Sequence, residues 1–271
     1  MRCALTCALW LILLAAGAAA NGPTTVFAID RGPDADADVL FYSAHIKGSK
    51  CTVTATRRSL AVTPVATLPL DGAKGPWELG GLAARNGRLA ATLTNQNGLV
   101  FLDARRAAPP VFQSLPDFPT PRGVAFAPDG TLWVLSANSL AELQFTSDGH
   151  FNPIHHRADF DDPRHLAIDS AGNFCIAQHG AARNILVLSK TFNRLRTISH
   201  CPQQKTNVLT VDAAGLLWAG EAESACSRFS AWLPFGSHPV FTISPAVASQ
   251  VCPHSGMRLP IPGVDLRFFW P

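Results

Sequence analysis

Charge is scarce in this chain: Asp, Glu, Lys and Arg make up only 15% of its 271 residues. The basic residues are scattered, and no run of Lys and Arg offers a surface to nucleic acid or to an anionic membrane. The densest places are the pairs Arg57-Arg58 and Arg105-Arg106. No C-x-x-C occurs, which argues against a zinc knuckle and against a thioredoxin-like centre. There is no G-x-S-x-G, no H-E-x-x-H and no P-loop, so the common hydrolase, metalloprotease and nucleotide-phosphate signatures are missing. There is also no N-x-S/T sequon, which fits a bacterial exported protein. Beyond the N-terminus no stretch approaches the length of a membrane-crossing helix, so no span is expected in the mature chain.

What is present is globular: 47% of residues are hydrophobic, ample for a core. The N-terminus reads as a secretory signal over residues 1–20. Arg2 supplies the charge, Ala8 to Ala16 the apolar stretch, and Ala18-Ala19-Ala20 the small residues before cleavage at Asn21. An uncleaved anchor is the alternative, but the apolar run is short for a span. A secreted or periplasmic location follows, with residues 21–271 as a single domain. Cleavage removes Cys3 and Cys7 and leaves Cys51, Cys175, Cys201, Cys226 and Cys252. That number is odd, so at least one thiol stays free or pairs between chains, and the connectivity is left open.

Self-similarity is the strongest signal. The segments Pro121 to Val134, Pro163 to Ile176 and Thr206 to Ala219 align, and Gly81 to Ala91 is a weaker copy. Each is an apolar strand, a tight turn ending in Gly, and a second apolar strand. Gly87, Gly130, Gly172 and Gly215 are spaced by 43, 42 and 43 residues. Glycine suits a turn position of positive φ, where a Cβ is penalised. Each unit continues with two more strands. Leu140–Phe145 with His150–Ile154 is one such pair, Ile185–Leu188 with Arg194–Ile198 another. Leu99–Leu102 with Val111–Leu115, and Phe229–Leu233 with Val240–Ile243, complete the set. Four short strands per unit at this period predict the blades of a β-propeller. Extending the ladder to Gly48 and Gly256 gives an all-β, six-bladed ring. Its last blade is one strand short, and Thr25–Asp30 is expected to supply that strand and close the ring. Five blades with an irregular tail is the alternative count.

The phrase from Pro121 to Val134 resembles the unit of NHL-repeat proteins. It is equally similar to units of the gluconolactonase and senescence-marker-protein family and of virginiamycin B lyase, and the likeness runs from about Gly75 to Ile243. It implies a propeller whose binding site lies at one end of the central channel, by the entrances to the innermost strands. Those entrances carry Glu78, Arg122, Arg164, His165 and Asn207. Two arginines would supply forked donors for the carboxylate or phosphate of a small anionic ligand or a protein partner. His165 is the candidate general base. In the lactonase-like enzymes a divalent metal is held by Glu, Asn and Asp; Glu78 and Asn207 are the matching oxygen donors here, for a cation such as calcium. Arg122 stands where an Asn-bearing pattern would be, and no channel Asp aligns. Against these roles stands a structural one, with Arg122 and Arg164 pairing with Asp117, Asp161 or Asp162 to hold blades in register.

Three further features read as structural. Asp34-Ala35-Asp36-Ala37-Asp38 alternates like a calcium loop but has Val39 where Gly is needed, and is expected to be a solvated turn. His155 and His156 are expected at the surface on opposite faces of a strand. Trp133 and Trp218 share a repeat position and are expected in blade packing.

Overall fold

Short runs of Val, Ile, Leu, Ala and aromatic residues between Gly, Pro, Asp and Asn favour strands joined by tight turns. In the computed structural model they form, among the described residues, twenty strands in five antiparallel sheets. The structure describes most of residues 25–243. It leaves out 1–24, 244–271 and short internal stretches, the longest being 70–77, 222–228 and 233–240.

The first sheet holds β1 (Thr25–Ala28), β2 (Val39–Lys47), β3 (Lys50–Arg57) and β4 (Val62–Pro69). The second holds β5 (Leu79–Arg85), β6 (Arg88–Leu93), β7 (Gly98–Asp103) and β8 (Val111–Ser114). The third holds β9 (Val124–Phe126), β10 (Leu132–Leu135), β11 (Ser139–Phe145) and β12 (Phe151–Ala158). The fourth holds β13 (Pro163–Ile168), β14 (Phe174–Gln178), β15 (Ile185–Leu188) and β16 (Arg194–Ile198). The fifth holds β17 (Thr206–Val211), β18 (Leu217–Glu221), β19 (Phe229–Trp232) and β20 (Phe241–Ile243). Within every sheet the strands lie in chain order. The first strands pack in succession: β1 on β5, β5 on β9, β9 on β13 and β13 on β17.

The core lies between sheets. One apolar cluster joins each neighbouring pair, for example Leu135, Leu140, Leu166 and Ile176 between the third and fourth sheets. Trp133 is buried in that cluster, with its ring edge-on to Phe174 at 4.7 Å, as the repeat position implied.

The turn glycines have the backbone that the repeat requires. Asn86 and Gly87 (φ 51° and 70°) form a two-residue hairpin turn of mirror-image type, while Gly130 and Gly172 have φ of 92° and 84°. Gly215 and Gly256 lie outside the described residues. Gly48 does too, yet its flanking strands are β2 and β3. It therefore sits in the second hairpin of its sheet, one strand out of phase with Gly87.

That phase error has a larger consequence. Thr25–Asp30 was expected to complete the C-terminal blade. Instead β1 pairs with β2, Thr25 opposite His45 and Ala28 opposite Tyr42, as the first strand of the first sheet. The physical reason is a complete local partner set: β1 has β2 on its edge and packs on β5, and Ala28 joins the apolar cluster that the two sheets share. The fourth strand of this sheet is β4, a stretch that the repeat did not flag. The segment around Gly256 expected to form the sixth blade lies outside the described residues.

Candidate functional site

A β-bulge recurs where the first strand of successive sheets begins. In the second sheet Leu79 faces Leu93 and Gly81 faces Thr92, so Gly80 is the extra residue. In the fourth, Pro163 faces Gln178 and His165 faces Ala177, leaving Arg164 extra. In the fifth, Thr206 faces Glu221 and Val208 faces Gly220, leaving Asn207 extra. In the third, Leu135 accepts from the N–H of Arg122 (2.6 Å) and donates to the carbonyl of Gly123 (2.8 Å), so two residues again oppose one. A bulge re-aims a side chain at a strand end. Arg122, Arg164 and Asn207, singled out from the sequence, are thus one structural position in three adjacent sheets. In the second sheet that position must be glycine, because a Cβ on Gly80 would come within 2.6 Å of the Arg122 carbonyl oxygen.

Two residues before the bulges of the third and fourth sheets the chain bends. Thr120 and Asp162 both adopt φ 49°, uncommon for non-glycine residues and doubly so before proline. Glu78 occupies the same place in the second sheet: its carbonyl accepts from Thr94 N–H at 2.8 Å, as that of Asp162 accepts from His179 N–H at 2.9 Å. Neighbouring sheets are also tied by side chains from that second position. Thr94 donates through Oγ1 to the carbonyl of Pro121 at 2.9 Å, and His179 through Nε2 to that of Thr206 at 2.7 Å. These bends, bulges and ties escape a sequence reading, although the recurring Thr120-Pro121-Arg122 and Asp162-Pro163-Arg164 triplets were a visible trace of them.

Arg122 reaches from the third sheet to the fourth. Its Nη1 donates to Asp162 Oδ1 at 2.5 Å and to the Pro163 carbonyl at 2.9 Å. Arg164 turns to the same carboxylate, with Nη2 at 3.3 Å from Oδ2 and Nε at 3.3 Å from Oδ1. Of the three acids considered as register-holding partners, Asp162 is the one that the arginines use. Asp161 instead receives the Ala182 N–H at 3.0 Å. Burial raises the pKa of Asp162, but the Arg122 hydrogen bond and the Arg164 charge outweigh it and hold the carboxyl below its ordinary value. One acid therefore faces two guanidinium groups. The Nε atoms of both arginines are buried without a well-formed hydrogen bond among the described residues, that of Arg164 having only the 3.3 Å contact with Asp162 Oδ1.

His165 stands beside this cluster, its ring 5.9 Å from that of His179. Its surface is only half-covered, but it lies deep in the molecule. That burial, followed by the neighbouring His179 and Arg164, pushes its pKa down to about 3. A base so weak is neutral at physiological pH but a poor proton acceptor. Glu78 is half-buried. The side chain of Asn207 lies outside the described residues. No group of three or more His, Cys, Asp or Glu residues that could hold a metal occurs among the described residues.

Elsewhere the sequence readings separate cleanly. Asp36 and Asp38 form an exposed turn, both bound to Nη1 of Arg57 at 3.0 and 3.2 Å. His156 is exposed and packs its ring on Trp133 and Phe192, at 5.0 and 5.2 Å, while the side chain of His155 lies outside the described residues. Cys51 and Cys175 are buried free thiols whose pKa values burial pushes up to about 11 and about 12, which leaves them unreactive. A cleft of about 730 Å³ opens between the second and third sheets near the Gly130 turn, at the other end of the strands from the bulges. Phe101, Phe126 and Phe151 line it. Ala90 stands in β6 where Trp133 stands in β10, so this interface has no indole to fill it.

No family model matches the chain, and no curated protein matches it. Solved structures do. The chain aligns with selenomethionine-substituted virginiamycin B lyase from Staphylococcus aureus at 14% identity and a TM-score of 0.54, over 83% of this chain and 70% of that one. It aligns with a chain of the nidogen/laminin complex at 16% identity and a TM-score of 0.61, over 83% and 81%. It also aligns with YCF48 bound to D1 peptide at 11% identity and a TM-score of 0.50, over 83% and 70%. At these identities the likeness concerns the fold alone. With its sequential four-stranded sheets packed first strand to first strand, the chain has the fold of these β-propellers.

Proposed function

We propose that this protein is an exported propeller that binds an anionic group, on a small ligand or a protein partner, at the mouth of its channel. The observation that carries this reading is the recurring bulge, which brings Arg122 and Arg164 from adjacent sheets onto a single carboxylate. Two fixed cations against one acid leave a positive excess in a chain otherwise poor in charge, and guanidinium forks suit carboxylate and phosphate. Export rests on the N-terminal signal of residues 1–20. Relatives in fold bind protein or peptide, as the nidogen/laminin complex and YCF48 with D1 peptide do. The lyase and lactonase readings lean on His165, Glu78 and Asn207, and the weak basicity of His165 and the sparse donors at Glu78 support them less.

Calorimetric titration of the mature chain with citrate and with inorganic phosphate tests the reading. Binding of at least one is expected in the wild type, with loss on replacing Arg122→Ala and Arg164→Ala together. Binding that survives the double replacement removes the arginines from the site.

A further inference from the structure

Asp162 holds a place that the arginines could give to something else. The bend that presents it recurs at Thr120, at the same position in the preceding sheet. In the third sheet the position is filled by Thr120, whose hydroxyl is buried and has no hydrogen-bond partner among the described residues. Thr120 has the same φ of 49° with no arginine to hold it, so the bend belongs to the fold and not to the ion pair. An acid is therefore not required to form the bend, and Asp162 is a chemical choice at a position that the backbone already sets.

The charges around it are unbalanced in a directed way. The bulge residue of the third sheet, Arg122, reaches the bend residue of the fourth, Asp162. Arg164 is the bulge residue of the fourth sheet. Arg164 turns back to Asp162, at the longer distance of 3.3 Å against 2.5 Å for Arg122. The pairing is thus lopsided, with Arg164 at 38% and Asp162 at 37% side-chain exposure, both within reach of solvent, while Arg122 is at 15%. The buried Nε of Arg122 has no hydrogen-bond partner among the described residues, and that of Arg164 has only the skewed 3.3 Å contact with Asp162. Unpaired buried donors are costly, and a planar anion with two oxygens satisfies a guanidinium fork better than a skewed one.

We infer that Asp162 is an internal stand-in for the carboxylate of the ligand, and that it competes with that ligand for Arg122 and Arg164. This rests on the mouth reading above. An arriving carboxylate displaces the half-exposed Asp162 from Arg164 first and from the tighter Arg122 contact second, while the backbone keeps the bend in place. The ligand class is a carboxylate, because the side chain that occupies the site is one.

Asp162→Asn tests this. It removes the competing charge, keeps the shape, and retains a residue that tolerates φ 49°. Asp162→Gly, free in that backbone region, is the second variant should the first fold poorly. Circular dichroism checks both folds. Citrate and inorganic phosphate are titrated into the full mature chain. The expected result is citrate affinity raised about tenfold or more in either variant, with a smaller gain for phosphate. Equal or weaker citrate binding in both folded variants, against a wild type that binds, overturns the stand-in while leaving the mouth reading intact. A larger gain for phosphate than for citrate overturns the carboxylate assignment. Absence of binding in the wild type and in both variants overturns the mouth reading and the stand-in together. A wild type that binds nothing, beside a variant that binds citrate, supports the stand-in strongly.

Discussion

The fold strongly controls the charge state of His165. A base with pKa about 3 in the folded chain against 6.5 when exposed cannot accept the proton that the unfolded chain takes up below neutrality. The sign follows. Stability from this group is complete above pH 6.5 and is lost as pH falls from 6.5 toward 3, by at most about 1.4 kcal/mol per pH unit. Asp162 adds a loss of the same direction at lower pH. Its pKa is depressed, so its contribution is present above the ordinary carboxylate value and vanishes on further acidification. Urea unfolding between pH 7 and pH 4 should show wild-type stability falling more steeply than that of His165→Gln. Parallel slopes would show that His165 is protonated as readily in the fold as outside it. The same burial that weakens His165 as a base argues for a positioning role, beside His179 and its bond to Thr206, over proton transfer.

At the scale of elements, glycines separate two kinds of constraint. Gly130 needs only its positive φ of 92°, since a Cβ there would meet nothing within 4 Å. Gly123 needs only space, since its Cβ would stand 2.7 Å from the Leu166 backbone nitrogen, in the strand of the next sheet. Gly130→Ala is therefore expected to cost about 1–2 kcal/mol through backbone conformation, and Gly130→Asn less. Gly123→Ala is expected to cost roughly 1–3 kcal/mol by forcing the third and fourth sheets apart beside Arg122. It should also weaken citrate binding, which Gly130→Ala should leave unchanged. Thermal melts and titration of the three variants check this, and equal binding in all would uncouple the sheet contact from the mouth. These two glycines also show what a sequence can disclose. Gly130 recurs with its turn, so its role was legible. Gly123 has His165 and Val208 as its counterparts, so the close approach of two sheets left no repeated letter. Arg122, Arg164 and Asn207 could be found because they follow the repeat, whereas the partner choice of Asp162 over Asp117 or Asp161 depends on a bend that only the folded backbone defines.

For the whole molecule, the repeat made the propeller and most strand positions readable, with Ile185–Leu188 and Arg194–Ile198 matching β15 and β16 residue for residue. It misled at the N-terminus. There the unit departs from its period, and a glycine between two apolar runs looks the same in a first or a second hairpin. The corrected placement makes a definite prediction. β1 is the first strand of the first sheet, Ala28 is in the core shared with the second, and Asp30 accepts the N–H groups of Asn86 and Gly87 at 2.7 and 2.6 Å. The N-terminal strand thus binds the first sheet to the turn of the second. Asp30→Ala should cost on the order of 2 kcal/mol through these two charge-assisted bonds. Removal of residues 21–30 should cost considerably more and should expose residues 39–69 preferentially to limited proteolysis, since β2 loses its partner and β5 its neighbour. Had the strand served the C-terminal blade, the new cleavage would instead fall after residue 243. The position of the first proteolytic cut therefore decides between the two placements of the strand.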